Sequence, residues 1–354
     1  MKIYKGKKVF VTGHTGFKGS WLIMMLHQFG AHVKGYALAP ENSTDLYPTI
    51  HGDALCESVI ADIRDIGRLR KEILDFEPDF IFHLAAQPLV RYSYSYPVDT
   101  FEVNVMGTVN VLEAARPLSG KCSIVIVTTD KVYENPELNQ PFREEDKLGG
   151  HDPYSSSKAC AEIVTESYRR SFFNPKEYQV HQKCVASARA GNVIGGGDFA
   201  ADRIVPDIIR YLSAGISIPV RNPNSIRPWQ HVLDPLSGYL QLGAKIYEDP
   251  HACSPSYNFG PDPEDDVSVE ALVKIAVSNW GNGRYDMFTE ENALHEAKYL
   301  MLDNQKAKRE LGWKPRMGAS EAIRRTIAWY KHDHQNANQR KELMISDIEY
   351  FFNE

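Results

Sequence analysis

The sequence predicts an α/β protein built on a doubly wound parallel sheet, with a smaller, mainly C-terminal substrate-binding domain. Three observations carry this. Lys8-Val-Phe-Val-Thr12, Pro78–Ala86 and Ser123–Thr129 are short apolar runs without polar alternation, the pattern of strands buried on both faces. Stretches with helical apolar spacing separate such runs, giving five β-α alternations in about the first 130 residues, the rhythm of a parallel sheet. A glycine turn, Gly13-His-Thr-Gly16-Phe-Lys-Gly19, joins the first strand to the first helical pattern.

That turn is the first functional signal. Strand, glycine loop and helix in this order let backbone amides approach a pyrophosphate at the positive end of the helix. Gly13, Thr15, Gly16, Phe17 and Gly19 are therefore candidate dinucleotide contacts, although the spacing departs from the commonest fingerprint. A turn that needs glycine only for its positive φ is the competing reading. Ala31–Tyr36 reads as the second strand, and its end, Tyr36-Ala-Leu-Ala-Pro40, offers neither the acid of many NAD sites nor the arginine of many NADP sites. The third strand ends at Asp62-Ile63, where Asp62 is placed to reach an adenine or to remain a solvated loop carboxylate. A helix over Ile66–Phe76 follows. Leu84-Ala85-Ala86 then closes the fourth strand, where the small Ala85 and Ala86 allow a cofactor to lie close, although core packing alone also favours alanine there. Thr100–Ala115 has helical spacing, with Asn104 in its middle.

The fifth strand ends in Thr128-Thr129-Asp130-Lys131, and a charged, proline-containing loop leads to Tyr154-Ser-Ser-Ser-Lys158 at the start of a helical stretch. Residues four apart share a helix face. A tyrosine near pKa 10 becomes a base at neutral pH if stabilised by roughly 4 kcal/mol. An ammonium about 4 Å away at an effective dielectric of about 20 supplies that order of energy. Tyr154 is thus a candidate acid-base group tuned by Lys158, against the bland reading that Tyr-x-x-x-Lys arises by chance on many helices.

The second half changes character near Arg189. Ala190–Asp198 is dense in glycine, and Asn192, Arg203, Arg227, Gln230 and the stretch from Lys298 to Leu311 bring polar groups suited to a diphosphate or to surface charge. The expected division is 1–188 for a dinucleotide-binding unit and 189–354 for a substrate unit, with 231–260 returning to the first. Residues 330–354 are charged and weakly patterned. The chain has 354 residues and a net charge of -6, which argues against a general nucleic-acid binder. No apolar run approaches the roughly 20 residues of a membrane span. The N-terminus lacks a signal-peptide core, and the five cysteines are scattered, so a cytoplasmic protein without a metal site is expected.

Taken together, Gly13-x-x-Gly16-x-x-Gly19, His83-Leu-Ala-Ala86, Thr128-Thr-Asp-Lys-Val-Tyr133, Tyr154-x-x-x-Lys158 and Arg227-x-x-x-x-Val232 resemble the extended short-chain dehydrogenase/reductases that act on nucleotide sugars. The likeness runs from Lys8 to about Trp313. Gly13–Leu22 and Thr129–Asn135 are similar to the branch that dehydrates CDP-glucose, whereas dTDP-glucose relatives usually carry glutamate in the place of Lys131. The resemblance implies a Rossmann-type fold, bound NAD and a homodimer formed through the helices Thr100–Ala115 and Tyr154–Ser171. It also implies a part in deoxysugar biosynthesis for lipopolysaccharide O-antigen. It implies that Tyr154 and Thr129 act on the sugar 4-hydroxyl, and that Lys158 binds the nicotinamide ribose and keeps Tyr154 ionised. Asp130 would protonate the departing 6-hydroxyl, and Lys131 would take the C5 proton as a neutral amine or stabilise the enolate as a cation. Gln87, Asn192, Arg203, Arg227 and Gln230 would surround the sugar and diphosphate. A 4-epimerase, a GDP-mannose dehydratase and a non-catalytic NAD-binding regulator are the competing functions.

Overall fold

The computed structural model describes every residue except 139, 252–254, 266, 288–298, 336–338 and 354. Lys298 therefore lies outside the described residues. Seven strands form one parallel sheet: β1 (Lys8–Thr12), β2 (His32–Ala37), β3 (Glu57–Ile60), β4 (Phe80–His83), β5 (Cys122–Val127), β6 (Lys183–Ala190) and β7 (Ser256–Phe259). Their spatial order is β3-β2-β1-β4-β5-β6-β7, all neighbours parallel. The direction of winding reverses between β1 and β4, and the crevice beyond the ends of those two strands is where such sheets bind ligands.

The apolar runs follow from burial on both faces. Val9, Val11, Phe80, Phe82, Val125 and Val127 pack on one side, and Phe10, Ile81, Ile124 and Ile126 on the other. The second face is covered by α2 (Ile66–Phe76), α3 (Gly107–Ala115) and α4 (Pro153–Ser171), the first by α1 (Phe17–Gln28) and α5 (Leu233–Glu248). The helix expected over Thr100–Ala115 is a composite. An α-helical turn at Pro97–Phe101 passes into a π-helical turn at Glu102–Met106 before α3 begins. The wider turn shifts the helical register around Asn104, a distortion found mostly at functional sites.

Residues 330–354, which sequence alone left without a task, complete the helices α6 (Ala319–Gln335) and α7 (Arg340–Asn353). Helix α7 packs on α1, which explains why Gly19–Leu26 are buried all round. Trp329 covers Gly196, where a Cβ would come within 2.0 Å of the indole. The Tyr330 hydroxyl donates to Gly195 O and Asp198 O, so α6 fixes the glycine-dense loop. Among the described residues no helix is long and apolar enough to cross a membrane, and no cluster of metal-binding side chains occurs.

A directed chain of hydrogen bonds ties the strand ends to the helices. His83 is fully shielded, and burial followed by the nearby Lys158 charge lowers its pKa to about 3, so the ring is neutral and carries one N–H. Thr108 Oγ1 donates to Asn104 O at 2.8 Å, which makes it the acceptor of His83 Nε2–H at 3.2 Å. Thr12 Oγ1 then donates to His83 Nδ1 at 2.7 Å and accepts from Ala85 N at 3.2 Å. Replacing Thr12 by Val strands two buried polar partners, each at a cost of about 1–3 kcal/mol. The expected result for Thr12→Val is a fall of about 2 kcal/mol or more in unfolding free energy. It is read from the urea midpoint at unchanged slope; an unchanged midpoint would show that the chain contributes nothing.

Candidate active site

The glycine turn is built for close backbone approach. Gly13 has φ of 76°, and a Cβ there would lie 2.7 Å from Ala85 N. A Cβ on Gly19 would lie 2.0 Å from Gly13 O. Gly16 is different: a Cβ would meet only Gly13 O, at 3.5 Å, and the residue is exposed. It stands at the N-cap of α1 with no side-chain cap, leaving the first amides of the helix directed at the crevice, where they suit an anionic pyrophosphate. Thr15 Oγ1 donates to Leu38 O and braces the turn against β2. Phe17, Leu84, Ala85 and Ala86 are half-buried around the same crevice. These features fit a dinucleotide.

Farther along the crevice, Ile63 is buried and the Asp62 carboxylate is held by Arg64, 2.6 Å from Nη2, which lowers its pKa. Asn104 is a strut. Its Oδ1 accepts from Gln87 N at 2.8 Å, and its Nδ2 donates to Gln87 O at 3.1 Å and Ser157 Oγ at 2.8 Å. Gln87 is likewise engaged internally, through Thr100 Oγ1 and Leu89 N.

Helix α4 starts where Asp152 caps it, accepting from Ser155 N at 2.9 Å, with Pro153 preset for the first turn. Tyr154 is then held by two backbone contacts: its N–H donates to Ser93 Oγ at 3.1 Å, and its carbonyl accepts from Ser157 Oγ at 2.7 Å. The Thr129 hydroxyl, just beyond the end of β5, is near enough to the phenol to lower its pKa. Thr129 Oγ1 in turn donates to Asp130 Oδ1 at 2.9 Å. The second Asp130 oxygen is buried without a hydrogen-bond partner among the described residues, and a Cβ on Gly191 would lie 3.0 Å from it. Lys131 is half-buried in the short helical turn Asp130–Val132.

Lys158 is anchored to the end of β5. Its Nζ donates to Val127 O at 2.9 Å, and burial lowers its pKa to about 8 against the pull of Glu162. The phenol of Tyr154 is disfavoured as an anion by its surroundings. Burial, partly opposed by the Thr129 hydroxyl and reinforced by Asp130, pushes it up to about 12, and Lys158 is not among the groups that move it most. The bond to the Val127 carbonyl sets the direction of the ammonium.

Several site groups escaped the sequence reading. Glu162, one turn beyond Lys158, is buried and accepts from Thr128, from Ser187 and twice from Arg189, and its period-four spacing from Lys158 was the available signal. Lys18 lies inside the glycine turn itself and projects over the Tyr239 ring, 5.9 Å from its centre. Burial and Arg203 lower its pKa to about 8. Arg203 is paired with Asp198 at 2.7 Å and is close enough to Tyr154 to influence it. Asn192 and Arg227 are half-buried on adjoining loops. Gln230 is not at the cleft surface: it is fully buried, with Nε2 donating to Phe259 O.

A glycine-turn crevice beside a Tyr-Thr-Asp group defines a dinucleotide-dependent enzyme of the short-chain dehydrogenase/reductase type. Comparison narrows this: residues 10–326 match the GDP-mannose 4,6 dehydratase family, and the chain belongs to it. It is 49% identical to the CDP-glucose 4,6-dehydratase of Salmonella typhimurium over 93% of this chain and 91% of that one. It is 26% identical to the dTDP-glucose 4,6-dehydratase of Haemophilus influenzae over 91% and 97%. In fold it resembles the dTDP-glucose 4,6-dehydratase of Streptomyces venezuelae solved with NAD, at TM-score 0.78 and 24% identity over 95% of this chain and 99% of that one. An epimerase of Methanothermobacter thermautotrophicus is equally near, at TM-score 0.78 and 23% identity over 94% and 95%, so fold does not separate dehydration from epimerisation.

A spectroscopic consequence follows from the phenol's environment. Because its pKa is raised, Tyr154 gains no charge as pH rises from 6 to 9, so the ultraviolet difference between wild type and Tyr154→Phe shows no tyrosinate band across that range. A band growing in near pH 7 would mean that the ligand-free site already holds a phenolate.

Proposed function

We propose that this chain converts CDP-glucose to CDP-4-keto-6-deoxyglucose and water. The observation that carries the reading is Asp130, a carboxyl group one residue from Thr129 and beside Tyr154, with one buried oxygen left for a ligand. An epimerase needs no acid for a departing hydroxyl. The 49% identity to a CDP-glucose 4,6-dehydratase supports CDP as the nucleotide, and the glycine cradle supports NAD as the cofactor.

Bound NAD would supply a hydride acceptor that returns the hydride within one turnover. Gly13, Thr15, Gly16, Phe17 and Gly19 would hold its pyrophosphate, Asp62 and Ile63 its adenine end, and Leu84, Ala85, Ala86 and Thr128 its nicotinamide end, with Asn104 bracing this wall. Lys158 would bind the ribose. Tyr154 removes the 4-hydroxyl proton while Thr129 holds the same oxygen. The ketone then acidifies the neighbouring C5 position. Lys131 takes the C5 proton and returns it, and Asp130 protonates the 6-hydroxyl so that it leaves as water. Arg203 and Arg227 meet the diphosphate, for which a planar fork of donors is suited. Asn192, Gln87 and Gln230 shape the sugar side, the last two through the backbone they fix. In this division, 1–188 with 231–260 carries the cofactor, and the remainder of 189–354 the sugar nucleotide.

Turnover of CDP-glucose in deuterium oxide should give a 4-keto product with deuterium at C5. CDP-glucose should outrun dTDP-glucose, UDP-glucose and GDP-mannose in the same assay. Tyr154→Phe should lose at least about 100-fold in rate while retaining NAD. A 4-epimer without deuterium at C5, or full activity in the variant, would overturn the assignment. Lys131→Glu tests the base: a retained rate means a carboxylate serves as well.

A homodimer is proposed through the helical face that includes Val98, Met106 and Ile163, which are 70%, 49% and 58% exposed. Sedimentation should show a dimer that Ile163→Glu splits, and a monomeric wild type would remove this interface. The thiols of Cys56, Cys122 and Cys160 are unbridged, which accords with a reducing, cytoplasmic setting. There the product would enter deoxysugar biosynthesis, O-antigen sugars included.

A further inference from the structure

The two halves of the proposed reaction are carried by different pieces of chain. Tyr154 and Lys158, which serve the oxidation at C4, stand on α4. Asp130 and Lys131, which serve the elimination across C5 and C6, stand on the short helical turn Asp130–Val132. Both sets must meet one sugar ring, so the turn has to keep a fixed place relative to the helix. A misplacement of about 1 Å at such a site costs about 100-fold in rate.

We infer that Arg189, with Glu162 and Tyr133, is the joint that holds the elimination turn in register with the oxidation helix, and so positions Asp130 and Lys131 for their step. This rests on the dehydratase reading above. Glu162 lies on α4, two turns beyond Tyr154. Arg189 Nε and Nη2 each donate to it at 3.0 Å, one to each carboxylate oxygen. The remaining nitrogen, Nη1, donates to the Tyr133 hydroxyl at 2.7 Å and to Glu144 O at 3.1 Å. Tyr133 directly follows the turn, and its hydroxyl donates in its own right to Asn258 Oδ1 on β7 at 2.7 Å. At the other end of the turn, Thr128 Oγ1 donates to Glu162. Both ends of the segment Thr128–Tyr133 are thus tied to one ion pair, and through it to α4.

The joint is dry and fully used. Arg189, Glu162 and Tyr133 are 3%, 4% and 2% exposed. Burial raises the Glu162 pKa, but Arg189, Ser187 and Thr128 together outweigh it, so the pair stays charged. Every nitrogen of Arg189 has a protein partner, which makes it a positioning residue that acts through the turn. The Tyr133 ring lies parallel to Phe142, with centroids 4.8 Å apart. Stacked rings tolerate a range of offsets. The hydroxyl, fixed between the Arg189 donor and the Asn258 acceptor, therefore sets where the ring rests along that stack.

Tyr133→Phe removes this tether and keeps the stack. Rapid mixing of NAD-loaded enzyme with CDP-glucose follows the halves separately: loss of the C4 hydride by the near-ultraviolet absorbance of reduced nicotinamide, and elimination by the 4-keto-6-deoxy product in quenched samples. The expected record is hydride loss at the wild-type rate and product slower by about 10- to 100-fold, with more reduced nicotinamide present during turnover than in wild type. Deuterium at C5 of the substrate should then slow the variant more than it slows the wild type. Asn258→Ala, which takes away the acceptor of the Tyr133 hydroxyl, should shift the ratio of the two rates in the same direction, and either variant decides alone if the other fails to fold. Tyr4→Phe strips an equally buried hydroxyl from Leu240 O and should leave the ratio unchanged. If the Tyr133 and Asn258 variants slow both halves by one factor, or slow neither, these residues only stabilise the fold and the joint is refuted. Wild-type enzyme that yields no 4-keto product at all would instead overturn the dehydratase reading.

Discussion

The site depends on the neutral, single-tautomer His83 between β1, β4 and the helical layer. Its two nitrogens face opposite partners: Nδ1 accepts from Thr12, whose oxygen also takes the Ala85 amide, and Nε2 donates to Thr108. Thr108 donates to Asn104 O, Asn104 clamps the Gln87 backbone and Ser157, and Ser157 donates to the Tyr154 carbonyl. Every step has a fixed direction, because each hydroxyl spends its one proton on the next acceptor. The crevice floor at Ala85 and the base of the tyrosine are therefore set by one network. A buried polar network has this ordering effect only when each member is satisfied.

This explains why a π-helical turn survives in the middle of a helix. An ordinary turn over Glu102–Met106 would rotate Asn104 away from Gln87 and Ser157. The local backbone cost is accepted because the side chain at that position makes three hydrogen bonds to two other elements. The same logic applies to Glu162 and Arg189, each 4% exposed at the side chain. Such a pair is costly to bury, yet here its remaining lone pairs accept from Thr128 and Ser187, fixing the strand end that carries Thr129 and Asp130.

Much of this was legible from the sequence. The bounds of β1 and α2 follow directly from apolar runs and periodicity, and the glycine turn, the β5 terminus and Tyr154-x-x-x-Lys158 meet at one edge of the sheet. What was not legible depends on contacts distant in sequence. The direction of Lys158 toward Val127 O is set by a strand carbonyl, which no spacing on α4 reveals. The interior place of Gln230 follows from β7 lying beyond β6. Lys18 was hidden within a motif read for its glycines. Residues 330–354 appeared unpatterned because α7 meets the back of α1, an element more than 300 positions earlier in the chain.

The enclosure of α1 by α7 bears on how the protein is made. Trp21, Leu22, Ile23, Met24 and Met25 are no more than 1% exposed in the finished molecule, but the helix that closes over α1 follows it in the chain by more than 300 residues. Domains tend to fold from the N-terminus as they emerge from the ribosome, so α1 is made long before its cover. Until that distant helix has been synthesised, the greasy back of the first one stands open.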